Sequence, residues 1–360
     1  MEFSRFGANF DRRFHQVNLD AVIHPLHPRS VFRVSHGDRA EAHNVFVRIE
    51  DDGVAGYGEA SPNAVYGEFA PDVLEKILGA RDCLRGLRIR SIADIERAWI
   101  DLWPLLGPSR AAQCAVDLAL WDWLGKRMGA SVANMALDTT RPEIPSFCTI
   151  GLSAPEELEQ KVLALRSRPL IKIKSDAAAD LSTIDLVRRR TRARLAVDAN
   201  CAWRNADIAA LSTDLARSDV AFIEQPLPPA DRDRMPAILA ASALPILADE
   251  SCVVEDDVEG IPGRFSGFNI KLVKCGGLTP GLRMLAHGRQ LGLTIMVGCM
   301  LESSLLIAAG AVLAMKTDFA DLDGAWLLRD DPFAGLPFEN GILRPPGTPG
   351  LGVEPKNFLW

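Results

Sequence analysis

The chain has 360 residues, 48% of them hydrophobic, and a formal net charge of -7 at pH 7. That length suits two ordinary domains, or one large barrel with a smaller companion. The mild acidity argues against nucleic acid as the main partner, and the lack of any run of about 18 apolar residues argues against a membrane span.

The opening residues, MEFSRFGANFDRRF, carry Arg and Asp and no apolar h-region, so no signal peptide is expected. The seven cysteines are odd in number, and no two stand at a C-x-x-C spacing. A disulfide framework or a thiolate zinc site is therefore not expected, and a cytoplasmic location is. Residues NVFVRIEDDGVAGYGEA read as a hairpin, with strands over 44–50 and 54–59. Helical periodicity follows from 70 to 135. RAAQCAVDLALWDWLGKRMG predicts an amphipathic helix ending at Gly129, with its tryptophans in the core.

From residue 145 onward, short apolar strands alternate with helical segments. The strands are expected at 147–152, 170–174, 194–199, 220–225, 244–249, 267–272, 293–298 and 319–323. This pattern predicts an α/β fold, a (β/α)-type barrel. A doubly wound open sheet is the rival, but no G-x-G-x-x-G follows an early strand. The basic run Arg188–Arg194 reads as the polar end of a barrel helix, and CGGLTPG (275–281) as a βα turn rather than a phosphate loop. The Gly- and Pro-rich tail, 326–360, is expected to return over the first domain.

Polar residues recur at the strand ends. The steps Lys174, Asp198, Glu224, Asp249, Lys274, Cys299 and Asp321 are 24, 26, 25, 25, 25 and 22 residues. One βα unit separates each from the next, and the C-terminal strand ends of a barrel converge on one face. The spacing thus predicts a single pocket ringed by Lys174, Asp198, Glu224, Asp249, Lys274 and Asp321. Charges closing apolar runs cost several kcal/mol unless compensated. Asp198, Glu224 and Asp249 form an oxygen-only donor set that suits a hard cation, most simply Mg²⁺. Only one histidine, His287, lies beyond His43, so acid–base work in the barrel falls to lysines and acids. Lys172 and Lys174 are two apart on one strand and share a face, so Lys172 is expected to depress the pKa of Lys174. A metal ion on a substrate carboxylate stabilises an enediolate. One lysine on each face of the carbon then removes a proton and supplies another, inverting the centre.

The segments IKIKSD, VDAN, IEQPL, LADES and NIKLVKCGG resemble the enolase superfamily, specifically its muconate-lactonizing subgroup. The resemblance implies a modified, enolase-like (β/α)8-type barrel over 141–325 and an N-terminal α+β capping domain over 1–140, with the tail packed on the latter. It implies Lys174 and Lys274 as bases, and one Mg²⁺ per subunit on Asp198, Glu224 and Asp249. Asn200 and Glu250 support that site. FADLDGAWLL resembles the D-x-D motif of dipeptide epimerases, where Asp321 and Asp323 would hold a dipeptide's α-ammonium. GCMLES resembles the segment after the seventh strand, which brings Cys299, Met300 and Glu302 to the substrate together with Lys172. SHGDRAEAHNVFVRIEDDGVAGYGEASP and NAVYGE are similar to L-Ala-D/L-Glu epimerases of peptidoglycan recycling. The implied enzyme is a cytoplasmic, homo-oligomeric isomerase that inverts the C-terminal residue of a dipeptide. Loops 24–39 and 61–69 are expected over the barrel mouth, with Arg39 on a substrate side-chain carboxylate. The alternatives are other enediolate reactions: o-succinylbenzoate synthesis, N-acylamino acid racemisation and muconate cycloisomerisation.

Overall fold

The computed structural model describes residues 17–30, 32–34, 37–153, 155–178 and 181–356, without the side chains of 31–39 and 154–156. The first unit is a three-stranded antiparallel sheet of Asn18–Leu26, Ala42–Asp51 and Val54–Ala60. The expected hairpin closes through Asp52 and Gly53, at φ 51° and 75°. Two consecutive left-handed residues match the strand twist, which is why an Asp-Gly pair sits there.

The helix Arg110–Met128 begins where Ser109 Oγ accepts the Ala112 N–H and stops at Gly129, at φ 64°. Its face pattern differs from the expectation. Every residue from Ala111 to Gly125 is buried, because the helix is wedged between the sheet and the barrel. A helix enclosed on all sides needs no polar stripe. Gly56 and Gly58 make this wedge possible: a Cβ at Gly58 would stand 1.8 Å from the Ala115 carbonyl oxygen. Trp121 and Trp123 are core residues, and Trp121 Nε1 donates to Thr279 Oγ1 at 2.9 Å.

Among the described residues, eight parallel strands form the second sheet: Cys148–Ile150, Leu170–Lys174, Arg194–Asp198, Val220–Glu224, Ile246–Ala248, Gly267–Ile270, Thr294–Gly298 and Phe319–Asp321. They are numbered one to eight below. The ends come close to closing, with the Phe147 N–H donating to the Ala320 carbonyl at 2.8 Å. Phe147, Ala196, Phe222, Leu247 and Met296 fill the interior. Above this apolar plug the strand ends are level: Lys174 pairs with Asp198, Asp198 with Glu224, and Gly298 with Asp321. A 3-10 segment, Glu255–Gly260, stands between the fifth and sixth strands instead of an α-helix.

The sixth strand is shorter than expected. It ends at Ile270, and Leu272–Cys275 turn at once into one helical turn capped by Gly276 at φ 101°. Gly277, at φ 123°, lies so close to the long helix that a Cβ would meet Asp117 Oδ2 at 2.3 Å. Asp117 accepts from Thr279, so this turn is a joint between helix and barrel. After the eighth strand, Phe333–Ala334 pairs with Glu354–Pro355, and Phe333 stacks on Phe46 at 5.9 Å. All seven cysteines are free thiols. Among the described residues, no helix is long and apolar enough to cross a membrane.

Candidate active site

A cavity of about 110 Å³ opens over the C-terminal ends of the barrel strands. Strand ends supply Thr149, Lys174, Asn200, Glu250, Lys271, Cys299, Asp321 and Asp323. The cap supplies Asn63, Val65 and Tyr66 from the loop after its third strand. Asn63 shapes this loop by accepting the Val65 N–H at 3.0 Å, and its Nδ2 contacts Met300 Sδ across the mouth.

The two lysines of the second strand share a face but not a depth. Lys174 reaches the cavity and donates to Asp198 Oδ2 at 2.6 Å. Lys172 lies beneath it at 2% exposure. There it meets Asp321, Glu224 Oε2 at 3.0 Å and Asp198 Oδ2 at 3.6 Å. Burial disfavours its ammonium, but the three carboxylates outweigh burial and hold its pKa well above the usual lysine range. Lys172 is a tie beneath the floor rather than a group in the cavity.

The structure corrects the expectation for Lys274. That residue sits on the helical turn after the sixth strand, 3% exposed, and is not among the residues that line the cavity. Its ammonium bonds the Asp249 carbonyl and Oδ1, each at 2.6 Å, and the Cys252 carbonyl at 3.0 Å. Lys271 lines the cavity instead. The regular 25-residue step misled, because the strand ends at Ile270, four residues before the position the step picks out. The signal that finds Lys271 is alternation: Asn269 and Lys271 are two apart, like Lys172 and Lys174. Asn269 Nδ2 duly points inward, to Glu224 Oε1 at 2.7 Å.

Asp198, Glu224 and Asp249 do not line the cavity themselves. Almost wholly buried, they form a floor beneath Lys174 and Lys271, which do, with Asp198 bonded to the first and Asp249 to the second. Burial pushes Glu224 up to about 7, and the Asp198 charge adds to this. Burial also opposes charge on Asp249, but Lys271, at 2.8 Å, and Lys274 hold it below the usual carboxylate range. Lys174 and Lys172 do the same for Asp198. Lys271 is in turn held well above the lysine range: burial lowers it, and Asp249 outweighs that.

On the far side, Asp323 Oδ2 accepts the Thr149 N–H at 2.7 Å, and Asp321 faces both Thr149 and Lys172. Burial, then the Asp321 charge, pushes Asp323 up to about 7. The two acids share a face although the strand stops at Asp321, because Asp323 caps the turn Gly324–Leu327. Cys299 and Met300 line the cavity, whereas Glu302 lies behind them and accepts the Met300 N–H at 2.8 Å. Sequence reasoning missed its neighbour Glu59. That cap residue, 0% exposed, accepts from Asn44 Nδ2, the Ser303 N–H and the Ser303 hydroxyl, and so ties the loop after the seventh strand to the cap. The Arg39 backbone ends the ribbon Phe32–Val34/Gly37–Arg39, and its side chain lies outside the described residues.

Comparison with known proteins decides the family. Residues 18–136 match the N-terminal domain of mandelate racemase / muconate lactonizing enzymes, and residues 157–358 match the enolase C-terminal domain-like family. The chain belongs to this family.

Its relatives include an L-Ala-D/L-amino acid epimerase of a Maribacter species, 36% identical over 94% of this chain and 98% of the relative. An enolase family member from Agrobacterium tumefaciens, solved with bound sodium and L-Ala-L-Glu, superimposes with a TM-score of 0.83 at 34% identity, over 92% of this chain and 98% of that one. A dipeptide epimerase from Cytophaga hutchinsonii, complexed with Mg and D-Ala-L-Val, gives a TM-score of 0.89 at 25% identity, over 96% and 97% of the two chains.

The floor of this family member suits a hard cation by donor type. It has three carboxylates on neighbouring strands and no imidazole or thiolate, and the buried Glu250 Oε2 beside them has no hydrogen-bond partner. Among the described residues, no group of three or more His, Cys, Asp or Glu side chains is drawn together in a way that could hold a metal ion. Each floor carboxylate is turned onto a lysine instead.

Proposed function

We propose that this protein is a Mg²⁺-dependent isomerase that epimerises dipeptides at the α-carbon of the C-terminal residue, with L-Ala-D/L-Glu as the first substrate to test. The observation that carries the reading is the placement of Lys174 and Lys271. They stand at the second and sixth of eight strand ends, opposite one another across one cavity. The relatives named for dipeptide epimerisation and the magnesium complex of one of them support it.

Asp198, Glu224 and Asp249 would hold the metal ion. When bound, it would stabilise the negative charge that builds on the substrate carboxylate as the α-proton leaves. The protein's own groups do the rest. Lys174 Nζ and Lys271 Nζ face the α-carbon from opposite sides, so one accepts its proton while the other donates a proton to the other face. For this, one lysine must be neutral. Asp249 is what chiefly holds Lys271 protonated, so a cation engaging Asp249 would weaken that hold and favour the neutral amine. Asp323, with Asp321 behind it, accepts the α-ammonium of the dipeptide. Because Asp323 lies near 7, that grip strengthens as pH rises through neutrality. Asn63, Val65 and Tyr66 cover the mouth and limit water.

The same reading divides the chain into a cap, 1–140 with the returning tail, and a barrel, 141–325. It includes self-association and a cytoplasmic site of action. Solvent-deuterium exchange into a dipeptide library, with Mg²⁺ and with chelator, tests it. Exchange at the C-terminal residue's α-carbon, only with the metal, is expected; exchange into N-acylated amino acids alone would refute dipeptide action and favour racemisation of those compounds.

A further inference from the structure

A second cavity, of about 220 Å³, lies beside the first and shares Thr149 and Leu327 with it. Leu165 and Trp326 supply apolar wall, while Arg29 and Lys161 bring positive charge. Arg29 is held in place at two points. Its backbone N–H donates to the Leu327 carbonyl at 2.8 Å and its Nε to the Trp326 carbonyl at 3.1 Å. Lys161 Nζ donates to Ser153 Oγ at 2.8 Å, with Glu157 at 4.0 Å and half exposed. Arg168 stacks behind Trp326, 5.8 Å from its ring. Arg29 and Lys161 are the charged residues among those that line this cavity, and both are cationic.

Thr149 fixes how the two cavities relate. Its N–H bonds Asp323, and its hydroxyl faces Asp321. The side cavity therefore begins where the acid pair ends. A dipeptide whose α-ammonium meets that pair carries its first side chain on the same carbon as the ammonium. That side chain has the side cavity within reach. From the acids to Arg29 and Lys161 the field runs from negative to positive, which complements an ammonium and a carboxylate separated by a short methylene stem.

We propose that this cavity is a subsite for the first residue of the substrate and that it favours an acidic side chain, glutamate above its neutral isostere glutamine. The inference rests on the proposed dipeptide reaction and extends it to the N-terminal residue. Its test compares kcat/KM for epimerisation of L-Glu-L-X and L-Gln-L-X, with X set to the residue turned over best in an L-Ala-L-X series. A preference of tenfold or more for Glu is expected, weakening as salt is raised. In an Arg29→Gln, Lys161→Gln double variant, checked to melt as the parent does, the preference falls to near one. A parent ratio at or below one overturns the proposal, as does a preference that survives in the variant. If no member of the L-Ala-L-X series is turned over either, the dipeptide reading itself falls.

Discussion

Exchanging one lysine at a time separates the two lysines of the K-x-x-K segment. Lys271→Gln removes an amine that lines the cavity and pairs with Asp249 Oδ2. Lys274→Gln removes one that does not line it and instead ties Asp249 to the backbone of Cys252. Loss of a proton-transfer group costs about 10²–10⁴ in rate. At ~1.4 kcal/mol per tenfold, that is roughly 3–5 kcal/mol of transition-state stabilisation. Lys271→Gln should therefore lose epimerisation while Lys174 still exchanges the α-proton of one stereoisomer. Its fold should lose less than in Lys274→Gln, since Lys271 makes one bond to Asp249 whereas Lys274 also ties the Asp249 and Cys252 carbonyls. Lys274→Gln should act on stability. Breaking a buried, hydrogen-bonded ion pair costs about 3–5 kcal/mol. For a chain of this size that lowers Tm by roughly 4–7 °C. The assays are chiral separation of products, deuterium exchange for each stereoisomer and calorimetry in chelator. A Lys271→Gln variant that epimerises within tenfold of the parent, beside a Lys274→Gln variant that melts normally but exchanges neither isomer, would refute the assignment.

Three further outcomes follow from the geometry. Burial pushes Glu302 up to about 8, so the folded state binds its proton more tightly than the unfolded state does. Its stabilisation is complete below about 4.5 and is lost as pH rises through 8, a swing of a few kcal/mol; Glu302→Gln should flatten the fall of Tm over that window. Mg²⁺ at 100 times its Kd should add about 2.7 kcal/mol to stability, seen as a higher Tm than in chelator, and Asp198→Asn should remove most of that gain. Gly58→Ala would force a Cβ to 1.8 Å from the Ala115 oxygen, with only backbone to give way; it should destabilise by ~3 kcal/mol, and a normal Tm would show that the helix is not wedged as described.

The barrel was legible because each strand is a short apolar run closed by a polar residue, and buried parallel strands require such runs. The buried acids beneath the cavity were legible for the same reason: Asp198, Glu224 and Asp249 end three successive runs, and nothing local explains acids there. The Asp-Gly turn and the stop at Gly129 were readable from backbone sterics alone. The long helix misled. Its pattern could not show that both faces would be covered, since burial on the second face depends on a barrel more than a hundred residues away in sequence.

Which lysine enters the cavity was a tertiary decision. Lys271 and Lys274 lie three residues apart, and the chain alone does not show where the strand gives way to the helical turn. The fold ends the strand at Ile270, aims Lys271 into the ring and turns Lys274 back under Asp249. The sequence by itself determined which chemical groups would gather: acids, lysines and a pair of aspartates at strand ends. Depth and direction came only with packing, as in Lys172 against Lys174, one a buried tie and the other lining the cavity. The reason is physical: strand periodicity gives the face of the sheet, but how far along the barrel axis a side chain sits depends on neighbouring strands that the local sequence does not encode.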